Sequence, residues 1–442
     1  MDKAKVISVE KALEMAKSYD YIVTGLGCSG AAAFMSKLHT IADRVQDVMI
    51  SHCLPLTPPD MEPAEIYKYE YRNSFLVDGW FYAPVMRSSH KNGNMSYIPN
   101  HLHLAATRRL DYRKPDIYIG AASMPDKHGY VSLSLSNTYE KRMIEAADLV
   151  ILEINPNFPY TLGDVQLPLS NVDYLIPVDY KVPEMEDLPF GEKEQAIGRL
   201  IAAEVPDGAC IQLGIGGIPN AVAEALTDKN DLGVHTEMLT NSMMRLAKRG
   251  NINGKRKQLN NGKMVATFAI GSRELYDFMD INPSVAILDG RWVNDPYVIG
   301  QNDNQISINT SVEVDLTGQC ASESIGFKQI SGTGGQADTA IGAQNSKNGK
   351  SFIALYSTAI VPDPATGEKK EVSKIVPCLQ QGAAVTLHRS DVDRVVTEYG
   401  IAELRGTSIR ERTERLISIA HPKFREELWE QTYQYGIVYR RR

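Results

Sequence analysis

The chain has 442 residues, with 47 Lys and Arg against 54 Asp and Glu for a net charge of −7, and is 43% apolar and 23% charged. That is an ordinary globular composition, long enough for two or three domains and for a core that needs neither disulfide nor metal. The acidic balance argues against a nucleic-acid partner, and no uncharged apolar run approaches the roughly 20 residues of a membrane helix.

Met1-Asp2-Lys3 leads, without an apolar h-region, into Ser8, so no signal peptide is expected. Ser8 can cap a helix that carries Val9, Leu13 and Ala16 on one face. Residues 21–24 read as a short strand that runs through glycines into a small-residue helix over 31–38. Strands over 48–51 and 117–120, a helix over 139–147 and a strand over 149–152 follow. This alternation predicts a parallel sheet covered by helices. The stretch Pro156 to Pro189 holds six prolines, its two ends included, and no long periodic run, which marks it as a linker. Beyond it a helix over 193–204, a strand over 210–213, glycines and a helix over 219–226 restart the pattern. Further strands are expected over 264–270, 351–355 and 384–387. The strand–glycine–helix theme near the start of each half hints at duplicated topology. The five cysteines, Cys28, Cys53, Cys210, Cys320 and Cys378, are isolated and never C-x-x-C. Reduced thiols and a cytoplasmic location are expected from that pattern.

Three glycine loops are candidates for ligand contact. Gly25 to Gly30 spells G-x-G-x-x-G after a strand and before a helix, the form of a dinucleotide fingerprint that would make the protein a nicotinamide-dependent oxidoreductase. The strand that follows ends in Ser51-His52-Cys53, with no acidic residue for a ribose, so a tight strand-to-helix turn is the better reading. Gly214-Ile215-Gly216-Gly217-Ile218 follows an apolar strand and precedes Pro219, which suits a first helical turn. Its free N–H groups could meet a phosphate or an oxyanion, and a flexible βα turn would explain it equally well. Ser331-Gly332-Thr333-Gly334-Gly335 packs three glycines into four residues, as a close backbone approach to a bulky ligand, or a tight turn, would require.

Glu237 is one carboxylate in a short, largely apolar stretch, 234–239, and lies 23 residues beyond Gly214. An edge or cap residue is the ordinary reading of such a glutamate. If the glycine loop faces it, a partly desolvated carboxylate beside backbone donors becomes a nucleophile for an acyl carbonyl. His235 could orient it, although a satisfied core histidine is the commoner case. His52, His101 and His103 have no partners at metal spacing, so no metal is assigned. Solvated surface is the default for Arg108-Arg109, Lys255 to Lys257 and Arg440 to Arg442, with Lys255 to Lys257 a candidate for nucleotide phosphates.

Taken together, Gly214 to Val222, His235-Thr236-Glu237-Met238, Ser331 to Asp338, Ser373 to Pro377, Val396 to Gly400 and Ile419 to Pro422 occur in an order that resembles the acetyl-CoA hydrolase/transferase family. The likeness is to its 4-hydroxybutyrate and butyryl-CoA:acetate CoA-transferase branch. The first half matches more loosely, through Asp78 to Phe81 and Asp126 to Gly129. The resemblance implies two open, mostly parallel-sheet α/β domains, here 1–188 and 189–442, with the active site between them. It implies CoA as co-substrate, acyl-CoA and carboxylate small molecules as partners, no membrane, and a homo-oligomer. It implies ping-pong transfer through a glutamyl-CoA thioester on Glu237, or acyl-CoA hydrolysis if water reaches the intermediate. Because carboxylate and thiolate are anions, no external base would be needed, but water would have to be excluded. One CoA loop falls on Gly214 to Ile218; the second falls on Val312, Ser331, Gly334 and Gly335, with Gly335 as oxyanion donor. The first domain would shape the acyl pocket, through Gly27-Cys28-Ser29 and 55–62. The chain departs from the pattern at Thr240-Asn241-Ser242, where many relatives have Ser-Asp-Gly. It also lacks a lysine after Ser357-Thr358, for which Lys350, Lys369 or Lys370 could substitute.

Overall fold

The computed structural model describes residues 4–362 and 367–439, so the basic cluster Arg440 to Arg442 lies outside the described residues. Two eight-stranded sheets organise the chain. Across the first, the strands run Lys5–Val6, Tyr174–Pro177, Leu149–Ile154, Ile117–Ala122, Tyr21–Thr24, Val48–Cys53, Phe75–Phe81 and Met95–Tyr97. Every neighbouring pair is parallel. Across the second they run Val285–Ile287, Met264–Ala266, Gly233–His235, Cys210–Leu213, Gln305–Thr310, Lys350–Ala354, Arg394–Thr397 and Gly400–Glu403. Here the last strand alone is antiparallel. The fold class is therefore mixed α/β with two large, mostly parallel sheets.

The two sheets share a winding. From Tyr21–Thr24 the chain adds three strands outward on one side (48–53, 75–81, 95–97), then returns to build the other (117–122, 149–154, 174–177). From Cys210–Leu213 it does the same (233–235, 264–266, 285–287, then 305–310, 350–354, 394–397). Each sheet thus has one point where the strand order reverses, and ligands of open α/β sheets bind outside the carboxyl ends of the strands at such points. A single hydrophobic cluster extends from Tyr21 in one sheet to Val396 in the other, so the halves pack on a shared core.

Three expectations fail for identifiable reasons. The proline-rich stretch is not all linker: Tyr174–Pro177 is a strand of the first sheet, tolerated because Pro177 is its last residue. The span 264–270 is broken at Thr267, where the N–H groups of Thr267 and Phe268 both donate to the Glu237 carbonyl; Phe268–Ala269 then pairs with Met238–Leu239. Residues 384–387 form only a single bridge, between Leu387 and Cys320. Among the described residues, no helix is long and apolar enough to cross a membrane.

Candidate active site

Glu237 stands just past the carboxyl end of Gly233–His235, one strand away from Cys210–Leu213 and the reversal point of the second sheet. Its backbone is pinned by the two amides of the broken strand, at 2.9 and 3.1 Å. Its side chain lines a cavity of ≈ 190 Å³. Gly214 and Ile215 enter the same cavity from the end of Cys210–Leu213, and Thr310 from the end of Gln305–Thr310. Ser331, Gly334 and Gly335 come from the turn before helix Gln336–Asn345. Leu26, Cys53, Leu54, Phe81 and Leu102 come from the first half of the chain. The site is therefore built where the halves meet.

The glycines around Glu237 are dictated by space. A Cβ on Gly335 would stand 2.0 Å from Glu237 Oε2 and 2.2 Å from Asn294 Nδ2, and one on Gly332 would stand 2.2 Å from the Trp80 carbonyl oxygen. Gly334 has φ +54, in the left-handed region. Residues of the first half hold this turn in place. The Thr333 N–H donates to the Tyr97 hydroxyl at 2.9 Å and the Leu102 N–H to the Gly334 carbonyl at 3.2 Å. The buried Asp338 accepts the His103 N–H at 3.1 Å and lies 2.8 Å from His103 Nδ1.

Asn294 Nδ2 donates to Glu237 Oε2 at 3.2 Å. Burial pushes the Glu237 carboxyl up to about 7, and the negative Asp338 adds to the rise; the Asn294 amide and the Gly335 backbone amide act in the opposite sense by favouring the charged form. A carboxylate that is an anion at neutral pH without qualification was expected from the sequence. The site instead raises the carboxyl well above the ordinary carboxylate range, against the pull of its two donors.

The loop 214–218 divides by position. Gly214, Ile215 and Gly216 also line an adjoining cavity of ≈ 280 Å³, with Asp187, Asn220 and Thr240. Gly216 has φ +122, and helix Gly217–Ala225 begins directly after it with no side chain capping its first amides. Gly217 faces Pro189 and Glu194, while Ile218 is buried in the core cluster. Val312 lies outside the cavity wall, held by its N–H to the Ala321 carbonyl.

Other sequence candidates settle elsewhere. His235 Nε2 lies 2.8 Å from the Val293 carbonyl oxygen and Nδ1 3.3 Å from Asn302 Nδ2, and burial lowers the imidazole to about 3, so it is a neutral core residue bonded to other partners than Glu237. Lys257 is buried with its ammonium donating to the Val234 and Lys263 carbonyls, and Arg256 pairs with Asp231, so this cluster offers no phosphate site. Lys350 pairs with Glu204 at 2.7 Å, and Lys369 and Lys370 stand on an exposed hairpin strand. At Gly25 to Gly30, the first amides of helix Ala32–Lys37 are taken by Glu153, whose carboxylate accepts from Ala33 and Phe34 at 3.2 and 2.7 Å. The donors that a pyrophosphate would need are filled from within, which leaves a strand-to-helix turn. Cys28 is buried, with its sulfur 3.4 Å from the Pro183 carbonyl oxygen and 3.5 Å from the Tyr276 hydroxyl. Gly27, Pro55 to Pro58 and Glu62 line a separate cavity of ≈ 60 Å³, not the one at Glu237. Asn294 carried no signal in the sequence; it reaches Glu237 across 57 residues. Among the described residues, no group of three His, Cys, Asp or Glu side chains could hold a metal ion.

Comparison with known proteins agrees with this architecture. The model of the acetyl-CoA hydrolase/transferase N-terminal domain matches residues 3–185 and that of the C-terminal domain residues 271–432. The chain is 40% identical to a 4-hydroxybutyrate coenzyme A transferase of Clostridium kluyveri over 96% of each sequence. It is also 40% identical to a succinyl-CoA:cyclohexane-1-carboxylate CoA transferase of Geobacter metallireducens, over 97% of this chain and 95% of the other. The crystal structure of RipA from Yersinia pestis superposes with a TM-score of 0.89 at 33% identity, covering 98% of both chains. The chain belongs to the acetyl-CoA hydrolase/transferase family.

Proposed function

We propose that the protein moves CoA from a short-chain acyl-CoA to a free carboxylate, through a glutamyl-CoA thioester on Glu237. The observation that carries this reading is the setting of Glu237: one carboxylate, held by Asn294 and the Gly335 amide, in a cavity between two glycine loops. A Glu237 oxygen attacks the acyl carbonyl carbon, the C–S bond breaks, and CoA leaves as thiolate with an acyl-glutamyl anhydride behind it. The thiolate attacks the glutamyl carbonyl carbon, releases the free acid and forms the thioester. A second carboxylate then runs the steps in reverse. Gly334 and Gly335 supply backbone donors for the developing oxyanions. CoA lies along Gly214 to Gly216, where the two cavities meet, with its phosphates toward the uncapped start of helix Gly217–Ala225. Both intermediates hydrolyse in water, so the apolar residues that the first half brings to the cavity favour transfer over hydrolysis by limiting the water beside Glu237.

The test is to incubate the enzyme with acyl-CoA, reduce with borohydride and map the peptide. Reduction of Glu237 to its alcohol is expected. An active preparation in which Glu237 stays unmodified would refute the reading. Free acid and CoA released over many turnovers without any acceptor acid, beyond the one equivalent of acid from the first half-reaction, would turn the assignment to hydrolysis.

The carboxyl held near 7 also gives a pH dependence. The attacking form is the anion, so kcat/KM in the acylation half-reaction rises with pH and levels off above a midpoint of about 7. Asp338→Asn removes the negative charge that helps to hold the carboxyl up, so the midpoint moves to lower pH. A pH profile of both proteins, taken with the same acyl-CoA, checks this.

A further inference from the structure

The acyl end of the cavity has a stop. The cavity that holds Glu237 and Gly214 also has an apolar wall from the first half of the chain, Leu26, Cys53, Leu54, Phe81 and Leu102, which an acyl group on Glu237 would meet. Leu54 is the unusual member. The parallel register of Val48–Cys53 with Phe75–Phe81 slips between His52 and Cys53, and Leu54 follows with φ +48. The left-handed region is disfavoured for a branched apolar side chain, and such conformations persist where the surroundings impose them, most often at ligand sites. Here the Leu54 N–H is fixed to the Phe81 carbonyl at 2.9 Å. The turn aims Leu54 into the catalytic cavity, while its neighbours His52 and Pro55 line the separate ≈ 60 Å³ cavity behind. Leu26 alternates in the same way, facing the catalytic side between Gly25 and Gly27 on the rear side. The two segments form a thin wall between a chamber at Glu237 and a void behind it.

Among the described residues lining the catalytic cavity, Glu237 is the one charged group, and Asp338 behind it is also negative. A second carboxylate on the acyl group would be desolvated there without a cation. Apolar cavities of about 150 Å³ hold a six-carbon ring, so ≈ 190 Å³, part of which the thiol end of CoA takes beside Gly214, limits the acyl chain to about that size.

We infer that Leu54 determines acyl specificity: it is the end stop of a chamber for uncharged aliphatic acyl chains of about four to six carbons. This rests on the reading of Glu237 as the acyl acceptor. Leu54→Gly keeps the left-handed turn, which suits glycine, and removes four carbons from the wall. Leu54→Phe adds bulk to it.

The experiment measures kcat/KM for acetyl-, butyryl-, hexanoyl-, octanoyl- and succinyl-CoA with acetate or butyrate as acceptor, for the wild type and both variants. In the wild type, butyryl- to hexanoyl-CoA should lead, with octanoyl- and succinyl-CoA at least tenfold lower. In Leu54→Gly the ratio of octanoyl- to butyryl-CoA should rise by about fourfold for each methylene newly accommodated. In Leu54→Phe the optimum should move toward acetyl-CoA, so either variant alone suffices if the other fails to fold. Unchanged length profiles in an active variant would overturn the inference and leave Glu237 untouched. Succinyl-CoA matching butyryl-CoA in the wild type would overturn the uncharged chamber. A wild type inert toward every ester, with no label on Glu237, would overturn the proposed function itself and the inference with it.

Discussion

Glu237→Gln should abolish CoA transfer and at the same time make the protein more stable above neutral pH. The amide cannot form an anhydride, so kcat should fall by at least about 10³-fold, the scale seen when a covalent nucleophile is removed. The stability effect follows from the raised carboxyl. Below pH 4.5 the group is protonated in both folded and unfolded chains and costs nothing. As pH rises from 4.5 the unfolded chain loses its proton freely, while the folded site resists ionisation until about 7. The wild type is therefore progressively destabilised between those values, reaching roughly 3 kcal/mol above pH 7. Glutamine does not titrate and still offers an oxygen to the Asn294 amide. Thermal unfolding of the two proteins should differ little at pH 4.5, and the variant should lead by a few degrees at pH 8. A variant that is inactive and also less stable at pH 8 would mean that Glu237 holds the fold rather than the chemistry.

The placement of Glu237 was partly legible because of how parallel sheets are wound. Cys210–Leu213 and Gly233–His235 are adjacent and parallel, so the residues that follow them emerge on the same edge. The spacing of 23 residues between a glycine loop and a carboxylate left their meeting as a condition, and the family resemblance pointed to Glu237. The strands that announced themselves were runs such as Leu149–Ile154 and Tyr21–Thr24, apolar enough to be buried on both faces. Gln305–Thr310 did not, although it is the central strand on the far side of the reversal point. Gln305 and Ser307 are fully buried in it and hydrogen-bond to distant partners, although Gln305 Oε1 finds none. The Gln305 amide donates to the His235 carbonyl at 3.2 Å, and the Ser307 hydroxyl donates to Gln212 Oε1 at 2.9 Å. A polar pattern that reads as loop is, in three dimensions, a hydrogen-bonded spine.

The same limit hid Asn294 and Leu54. Asn294 sits between Asp289 and Asp295, which cap two four-residue helices through their carboxylates. The caps leave a local trace; the contact with Glu237 leaves none. Leu54 in Cys53-Leu54-Pro55 carries no mark of a left-handed backbone, because glycine or asparagine would be the usual occupant. Conversely, the G-x-G-x-x-G at 25–30 has the form of a ligand loop but lacks the acidic residue after the next strand, and the turn this predicts is what forms: Glu153, from a strand 120 residues away, occupies its helix amides. The fold duplicates the reversal point, but in one copy a carboxylate takes the helix amides beside a cavity of only ≈ 60 Å³, while in the other the amides stay uncapped by side chains beside two larger cavities.

Gly335→Ala should silence the enzyme with little effect on folding, and Gly334→Ala should do the reverse. Gly335 has φ −97 and ψ 14, a backbone that alanine adopts readily, so no conformational strain is added. What alanine lacks is room: its methyl would stand 2.0 Å from Glu237 Oε2 and 2.2 Å from Asn294 Nδ2. Glu237 cannot withdraw as a unit, because its carbonyl is held by two amides of the neighbouring strand. The carboxylate must rotate away from both its donors and the approaching acyl carbon. A displacement of about 1 Å from a reacting geometry costs on the order of 10²-fold, and the carboxylate also leaves its two donors, so kcat should drop by roughly 10²-fold or more. At Gly334 the balance inverts. A Cβ there would lie 3.6 Å from Glu237 Oε1, an ordinary contact, but φ +54 makes alanine cost about 1–2 kcal/mol in backbone strain. Steady-state kinetics and melting temperatures of the two variants separate the cases. If Gly335→Ala retained wild-type kcat, the turn would not be touching the reacting carboxylate, and the chemistry would have to lie away from the 331–335 loop.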